Sequence, residues 1–422
     1  MESPEKGGLL ITDFTENSVL QNAGAQKNDI LWKYNGTIVE SVEQLGELKK
    51  RVDTELVEVE VLHHAEHHVL QIPAGKIGVY LMLIPWEGVI DTDAVMIKGI
   101  GKLDWSSGMD NTFLGALEQI EKLKGQGLGY EDLMLLSGYS FRTNFFEGWC
   151  PSSPDATCGF NAGEEILKKL GYNYETIHLK GDEECTEDSL VNYMNKTEMI
   201  SVIKASIDNG WPVLAIDLIQ VPEWGVITGY QKDGKELLCR TYFDQADGYE
   251  IAQNIPFAIV IIHGKKEVDL DPLYPEALKL AKVLYETENY NNYTNGIHAI
   301  DTWITHLNDE KVLMNASPEK FAEMSLANSY IYYSLAGARA LTADYLKKNK
   351  EKFDVDQDLL AELSEIYEQE AELLQKGFSN LAALGGSATP ETWTIEMRRK
   401  ELLTLDEFRN LELRAKQLFS AF

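Results

Sequence analysis

The chain has 422 residues, of which 44% are hydrophobic and 25% are charged, the proportions of a soluble globular protein with two or three domains. Acidic residues outnumber basic residues by 68 to 38, so the formal net charge at pH 7 is -30. This charge disfavours nucleic acid and anionic membrane surfaces as partners, because both would repel the protein.

The N-terminal segment and the cysteines predict a cytoplasmic protein. Met1 is followed by ESPEKGG rather than by a basic segment and an apolar run, so we expect no secretory signal. The longest apolar stretches, such as residues 79–85, are too short to cross a bilayer. The cysteines lack the paired spacing of metal ligands, which predicts free thiols in a reducing compartment and no cofactor. They are Cys150, Cys158, Cys185 and Cys239.

Residues 7–80 alternate short β-rich runs with turn signals. The AGA step at 23–25, the NDILWKYNG run at 28–36 and the closing VLQIPAGKIGV segment resemble a PDZ domain, so we expect a PDZ-like β-sandwich or barrel at residues 1–82. The resemblance implies that an extended peptide, such as a protein C-terminus, adds as a strand to one sheet edge. The alternative is that the next domain covers this edge. The residues predicted to form it are Ile77, Gly78, Val79 and Tyr80.

Four histidines, His63, His64, His67 and His68, lie at the predicted tip of a hairpin. Imidazoles can hold a transition metal. Neighbouring residues of a strand point to opposite faces, so His63 and His64 cannot both face one ion without a bend. We therefore interpret the cluster as a solvated turn and predict no metal site.

A central domain is expected at residues 83–268, and its first helix begins near Asp110. Either Asp110 or Asn111 can cap this helix by accepting hydrogen bonds from its free amides. Later helices are followed by the strands PVLAIDL, EWGVITGYQ and ELLCRTYFD, an order typical of an α+β domain. Apolar spacing predicts one buried face for the first helix, formed by Phe113, Leu114, Leu117, Ile120 and Leu123.

The order of this helix, LSGYSFR, a turn-rich loop, a helix ending in LGY and the strand GVITGY is similar to the N-terminal domain of butirosin-biosynthesis protein H. It is also similar to the related C39-like, papain-like cysteine peptidases, over about residues 105–265. The resemblance implies a cysteine nucleophile at the start of the first helix and a histidine at the start of the strand. Asn111 and Glu223 occupy these positions. Because thiol catalysis needs both the cysteine and its histidine base, the resemblance implies a degenerate domain without this chemistry.

Two cysteines leave an enzymatic alternative open. The segment CGFNAGEEILKKLG, which begins at Cys158, also resembles the nucleophile helix of C39-like peptidases, and Cys150 is a further candidate thiol. In this alternative the chain is a thiol peptidase or acyltransferase, and His298 is a histidine that could reach the cleft. A lone cysteine is more often a small buried side chain than a nucleophile.

Glu223 is the central residue of the predicted ligand site. A carboxylate at the start of a buried strand needs a specific partner or has a raised pKa. We expect Glu223 to pair with a ligand cation, or with Arg142 or Arg240. The full set of predicted ligand-binding residues is Glu223, Trp224, Arg142, Asn111 and Trp149.

Residues 269–422 show helical spacing almost throughout, which predicts an antiparallel bundle of about five helices. Ser317 and Thr389 each precede a Pro-Glu pair, as helix starts favour. Residues 293–307 and 336–346 resemble the helical extension that follows the butirosin-H-type domain. An aromatic set at helical spacing either lines a ligand pocket or packs in the core. Its members are Trp303, Tyr330, Tyr332 and Tyr333.

The sequence thus predicts an α+β multidomain protein whose papain-like domain binds a peptide or a small amino compound without hydrolysing it. In this interpretation the PDZ module docks a peptide or another part of the chain. The alternatives are an active thiol enzyme that uses Cys158 or Cys150, and a scaffold whose PDZ module is the main interaction site.

Overall fold

A computed structural model describes residues 8–15, 17–27, 29–39, 41–52, 54–63, 66–84, 94–181, 192–244, 248–382, 384 and 387–422. Cys185 and His64 lie outside the described residues. The fold class is α+β multidomain, as predicted, with several sheets and a helical C-terminal region. Within the described chain, no helix is both long and apolar enough to cross a membrane.

The elements are numbered in chain order. The strands are β1 (Gly8–Phe14), β2 (Ile30–Tyr34), β3 (Thr37–Ile38), β4 (Leu56–His63), β5 (Glu66–Pro73), β6 (Val79–Ile84), β7 (Val95–Met96), β8 (Asn144–Phe145), β9 (Tyr172–Leu179), β10 (Asn192–Met194), β11 (Val213–Ile216), β12 (Trp224–Gln231), β13 (Glu236–Arg240), β14 (Glu250–Ile251), β15 (Ala258–Lys265), β16 (Asn289–Tyr290) and β17 (Tyr293–Asn295). The helices are α1 (Val19–Asn22), α2 (Val42–Lys50), α3 (Thr112–Lys124), α4 (Tyr130–Leu136), α5 (Ala162–Lys169), α6 (Lys196–Asp208), α7 (Leu273–Glu286), α8 (Gly296–Leu307), α9 (Glu310–Asn315), α10 (Pro318–Lys348), α11 (Gln357–Leu381) and α12 (Ile395–Phe419).

The N-terminal sheet has the strand order β5-β4-β2-β1-β6, with β3 paired to β2. Alternate residues of β4 enter its core, where Val57, Val59 and Val61 are at most 1% exposed, because successive side chains of a strand point to opposite faces. Strands β4 and β5 pair antiparallel as far as His63 and Glu66. The predicted hairpin is therefore present at the histidine cluster, in which His68 is exposed.

A second sheet has the order β10-β9-β15-β11-β12-β13-β14, with β7 paired to β12. Every residue of β12 is buried, because β11 and β13 flank the strand and helix α6 packs on the sheet. A nearly continuous apolar sequence is typical of a strand that is buried on both faces of its sheet. The sheet is mostly antiparallel, and the pairing of β10 with β9 is parallel.

The chain divides into two compact units. The first contains residues 1–107, 119–127 and 174–264, and the second contains residues 108–118, 128–173 and 265–422. The predicted domains at 1–82, 83–268 and 269–422 therefore remain a prediction, and the expected central domain contributes residues to both units. Residues 128–173 of the expected central domain belong to the second unit because helices from the C-terminal region pack directly against them.

Helix α3 differs from its prediction. Its apolar residues are buried as expected, but Glu118, Gln119 and Glu121 on the other faces are also at most 6% exposed. Each of these polar side chains accepts a hydrogen bond from a backbone amide: that of Tyr130, Gly101 or Gln126. Residues 112–121 of the helix are thus buried on its polar faces as well as on its apolar face, whereas Lys122 and Lys124 are exposed at its C-terminal end.

The C-terminal helices begin at strong caps. Ser317 accepts a hydrogen bond from the Lys320 amide, and Pro318 occupies the first turn of the 31-residue helix α10. The predicted start at Thr389 is wrong, because residues 389–392 form a turn and Thr394 caps α12 instead. Both Trp303 and Tyr332 are fully buried in the core of this region.

A buried charged cluster joins three of these helices. Arg339 of α10 donates to Glu370 of α11 over 2.8 Å and to Glu412 of α12 over 2.5 Å, and all three side chains are inaccessible to solvent. Arg339 also donates to the carbonyl of Ser140. One arginine thus faces two carboxyl groups, which a dry interior accommodates when one of them keeps its proton.

Candidate functional site

Asn111, the predicted counterpart of a thiol nucleophile, is the N-cap of α3. Its side-chain oxygen accepts a hydrogen bond from the backbone amide of Leu114 over 3.0 Å. The backbone amide of Asn111 donates to the Tyr130 hydroxyl over 2.9 Å. The residue is 6% exposed. The cap predicted from the sequence is therefore present, and the side-chain oxygen is committed to the helix.

A narrow indentation opens beside this cap. We call it the Asp110 groove and define it by Asp110, Asn111, Tyr130, Tyr139, Ser334 and Gly337. The carboxyl group of Asp110 is half-buried and accepts a 2.8 Å hydrogen bond from the hydroxyl of Tyr333. Burial raises the pKa of Asp110, and the bond from Tyr333 opposes the increase.

A second cavity adjoins the groove and shares Tyr139 and Ser334 with it. The Tyr139 hydroxyl donates to the carbonyl of Pro154 over 2.6 Å, so the Ser334 hydroxyl, also 2.6 Å away, is the donor in their shared bond. Each cavity has room for about one water molecule beneath its mouth. The arrangement suits a small polar head group rather than a large ligand.

Arg142 was predicted to bind ligand, but its guanidinium is occupied by one loop of the protein. Its two terminal nitrogens donate to the carbonyls of Cys158, Phe160, Pro154 and Asp155, at 2.7–3.1 Å. The side chain is 4% exposed and stacks on the Tyr139 ring. Arg142 lines the second cavity while holding the loop that forms one of its walls.

Cys158 and Cys150 lie half-buried on this loop. Burial raises the pKa of the nearby Tyr293 hydroxyl, and the thiol of Cys158 contributes to the increase. Burial raises the pKa of Cys158, and the neighbouring Asp155 raises it further. A nucleophilic thiol needs the opposite influence, a cation or a base that favours the thiolate, so this environment disfavours catalysis by Cys158.

Glu223 and Trp224 belong to the first unit. Trp224 is 3% exposed and starts β12, so its ring belongs to the sheet core rather than to an open site. Glu223 is only half-buried, which differs from the buried carboxylate that we expected. Its amide donates to the Val221 carbonyl over 2.7 Å, in a tight turn that precedes the strand.

The other expected partner of Glu223, Arg240, forms a local pair in the same unit. Arg240 donates to the Asp244 carboxylate over 3.3 Å and to the carbonyl of Gly248, and it lies 4.4 Å from the centre of the Tyr249 ring. Both charged side chains of the pair are at most 1% exposed. Arg240 therefore braces the loop between β13 and β14.

Trp149 was also predicted to bind ligand. It is 1% exposed and packs edge-on against Phe145 and Trp393, with ring centres 5.0 and 6.4 Å away. Its backbone lies in the left-handed region at φ 57°, a conformation that a large side chain adopts only when its surroundings hold it there. The structure makes Trp149 a core residue of the second unit.

The four residues of the predicted peptide-binding edge have different roles. Ile77 is buried in the core of the N-terminal sheet, and its carbonyl accepts from the Leu20 amide and the Ser18 hydroxyl. The carbonyl of Gly78 accepts from the Thr15 amide. Val79 and Tyr80 begin β6, the strand at one end of the sheet, and Tyr80 is 59% exposed.

The sequence did not identify Asp110, Tyr139 or Ser334 as site residues. From the sequence, Asp110 is predicted only as a possible helix cap. Tyr333 was part of the aromatic set for which a pocket was one alternative. Its hydroxyl reaches Asp110, while Trp303 and Tyr332 of the same set are core residues.

Comparisons with known proteins leave the family open. No protein-family model matches the chain, and no curated protein matches it. Among solved structures, one match is the crystal structure of a PDZ domain protein from Parabacteroides distasonis ATCC 8503. The two share 10% sequence identity and a TM-score of 0.16, over 68% of this chain and 59% of that protein. The chain therefore spans less than two thirds of that protein's length.

Proposed function

We propose that the second unit binds a small primary amine, or the amino group of a peptide, in the Asp110 groove without hydrolysing it. The single observation that supports this function is the carboxyl group of Asp110, half-buried at the groove and raised in pKa by burial. A carboxylate that has lost part of its hydration is stabilised when a cation binds to it.

The groove offers suitable hydrogen-bond acceptors for an ammonium group. An ammonium group has three donors and is close to a water molecule in size, so it matches the space beneath the mouth. Besides the Asp110 oxygens, the Ser334 hydroxyl can accept, because its own proton goes to Tyr139. The rest of the ligand would lie at the open mouth, along α10.

The absence of hydrolysis is supported by the residues that would have to carry it out. Asn111 stands where the resemblance implies a thiol, and its side chain caps α3. Cys158 has an acidic neighbour and a raised pKa. The thiol-enzyme alternative therefore has less support than ligand binding.

The test is binding of a matched series of amines to the full chain. Benzylamine and glycinamide are compared with benzyl alcohol and glycolamide by calorimetry, because a hydroxyl replaces the ammonium group with a neutral group of nearly the same size. We expect the amines to bind, the alcohols to bind at least tenfold more weakly, and Asp110→Asn to lose the difference. Asp344→Asn, an exposed substitution on α10 with the same change of charge, serves as the control. Equal binding of both series would overturn the proposal.

A second candidate function is peptide docking on the N-terminal sheet, and it rests on the position of β6. This strand forms one end of the sheet, and its neighbour on the inner side is β1. An end strand of a sheet can accept an extended peptide as a further strand. A library of C-terminal peptides and their amidated forms tests this function, and uniform lack of binding would exclude it.

A further inference from the structure

Gly337 lies in the middle of helix α10, where glycine is an unfavourable residue. The helix runs from Pro318 to Lys348. Glycine at an interior position destabilises a helix relative to alanine, because its backbone loses more conformational freedom on folding. A glycine at such a position therefore indicates that another group approaches the helix closely.

The group that approaches Gly337 is the carboxyl group of Asp110. A Cβ atom at position 337 would lie 3.3 Å from the Oδ2 atom of Asp110, and apart from the neighbouring part of α10 no other atom of the described residues would lie within 4 Å. Gly377 of α11 differs, because a Cβ atom there would lie 2.7 Å from the ring of Tyr332. Core packing thus explains Gly377, whereas Gly337 leaves a notch in front of a carboxylate oxygen.

The Oδ2 atom is the part of Asp110 that remains for a ligand. The Oδ1 atom accepts the hydrogen bond from Tyr333, which lies one helical turn before Gly337 on the same face of α10. Among the residues that the structure describes, no other hydrogen bond reaches this carboxyl group, and no lysine or arginine lines the Asp110 groove. A partly buried carboxylate without an internal cation favours a cation from outside the protein.

We propose that Gly337 makes the groove selective for primary amines, because its notch admits an unsubstituted ammonium group and excludes an N-methylated one. The inference rests on the function proposed for the Asp110 groove and names the class of ligand. A primary ammonium group has three donors, for which the Asp110 Oδ2 atom and the Ser334 hydroxyl are available acceptors. Each N-methyl group removes one donor and adds a carbon atom to a site with room for about one water-sized group.

Gly337→Ala has opposite expected effects on the helix and on the ligand. The added methyl group would lie 3.3 Å from the Asp110 Oδ2 atom, where the ammonium group is proposed to bind. Alanine is also the more favourable residue inside a helix. We therefore expect benzylamine to bind at least tenfold more weakly, while the urea midpoint of unfolding stays equal to that of the wild type or rises. A misfolded variant would lose both binding and stability.

The experiment titrates the full chain with benzylamine and with N,N-dimethylbenzylamine by calorimetry. The two compounds carry the same positive charge at neutral pH, so the comparison isolates the size and the donors of the ammonium group. We expect the wild type to bind benzylamine at least tenfold more tightly. Ala340→Gly, an exposed substitution on α10, is the control. It weakens the helix without entering the groove, and both affinities should equal those of the wild type.

Two outcomes would overturn the role of Gly337. One is equal binding of the two amines by the wild type, and the other is binding of benzylamine by Gly337→Ala as tight as by the wild type. In both cases benzylamine still binds, so the function proposed for the groove stands. If the wild type does not bind benzylamine, the proposed function fails and the inference fails with it.

Discussion

The Tyr333 hydroxyl donates a 2.8 Å hydrogen bond to the carboxyl group of Asp110, 223 residues earlier in the chain. Burial, together with this bond, raises the pKa of Tyr333 to about 12, so the hydroxyl remains a donor throughout the physiological range. The pair joins helix α10 to the residue that precedes the cap of α3. It supplies the acidic group of the proposed amine site.

Removal of this hydroxyl should weaken amine binding. Tyr333→Phe deletes the one bond that lowers the pKa of Asp110, so the carboxylate becomes protonated at a higher pH. We expect affinity to fall about three- to tenfold, the effect of losing one hydrogen bond of roughly 1 kcal/mol. Amine binding should decrease as the pH falls through the pKa of Asp110, and the decrease should begin at a higher pH in the variant.

Calorimetric titrations at several pH values measure this shift. Tyr330→Phe, which alters an exposed tyrosine of the same helix, is the control and should behave as the wild type. Identical pH profiles for Tyr333→Phe and the wild type would show that the hydroxyl does not influence the site.

Introduction of the missing thiol should not create a peptidase. Asn111→Cys removes the oxygen that caps α3. Asn111→Ser introduces a side chain of nearly the same shape as cysteine but keeps an oxygen that can cap the helix. We expect the cysteine variant to be less stable than the serine variant by about 1 kcal/mol in urea unfolding. Neither variant should hydrolyse peptide substrates, and turnover by Asn111→Cys would contradict the degenerate-site interpretation.

The buried Arg339 cluster should make stability depend on pH. Burial, with the adjacent Glu412, raises the pKa of Glu370 well above its ordinary value of 4.5. The folded protein therefore holds this proton at pH values where the unfolded chain has lost it. The stability contributed by Glu370 is complete below about pH 4.5 and decreases as the pH rises.

Two substitutions distinguish the effect of the Glu370 proton on stability from the effect of the Glu370 side chain. Glu370→Gln supplies a permanent donor toward Glu412 and keeps an acceptor for Arg339, so we expect near wild-type stability and a flatter pH dependence. Glu370→Ala leaves buried polar groups without partners and should cost about 3–5 kcal/mol. Urea unfolding between pH 5 and pH 8 measures both effects, and a steeper slope for Glu370→Gln would contradict the shared-proton assignment.

Arg142 should prove to be a structural residue of the loop. The planar guanidinium group of Arg142 donates hydrogen bonds to four carbonyl oxygens, which the single ammonium group of a lysine cannot reproduce. Arg142→Lys should therefore lower the free energy of unfolding by about 2–4 kcal/mol. The released loop should also expose Cys158, and alkylation by iodoacetamide should become faster. Arg414→Lys, at an exposed ion pair, is the control. Unchanged stability and unchanged alkylation would exclude this role.

Elements with local signals were predicted well. The Asn111 cap, the Ser317-Pro318 helix start and the alternation of β4 are decided by residues within one turn or one strand. The error at Thr389 has the same origin, because Thr394 offers an equally good cap five residues later and the sequence does not rank the two. Ligand roles were predicted less well, since Trp149 is a core residue and Arg142 holds a loop.

By itself, the sequence determined the α+β class, the helical C-terminal region and the starts of α3 and α10, because hydrophobic period and capping chemistry act between near neighbours. Tertiary structure alone decided that residues 112–121 of α3 are buried on their polar faces as well, that Tyr333 reaches Asp110, and that Arg339 faces Glu370 and Glu412. The last two relationships join residues far apart in the chain. Their contact depends on how whole elements pack, which no local pattern encodes.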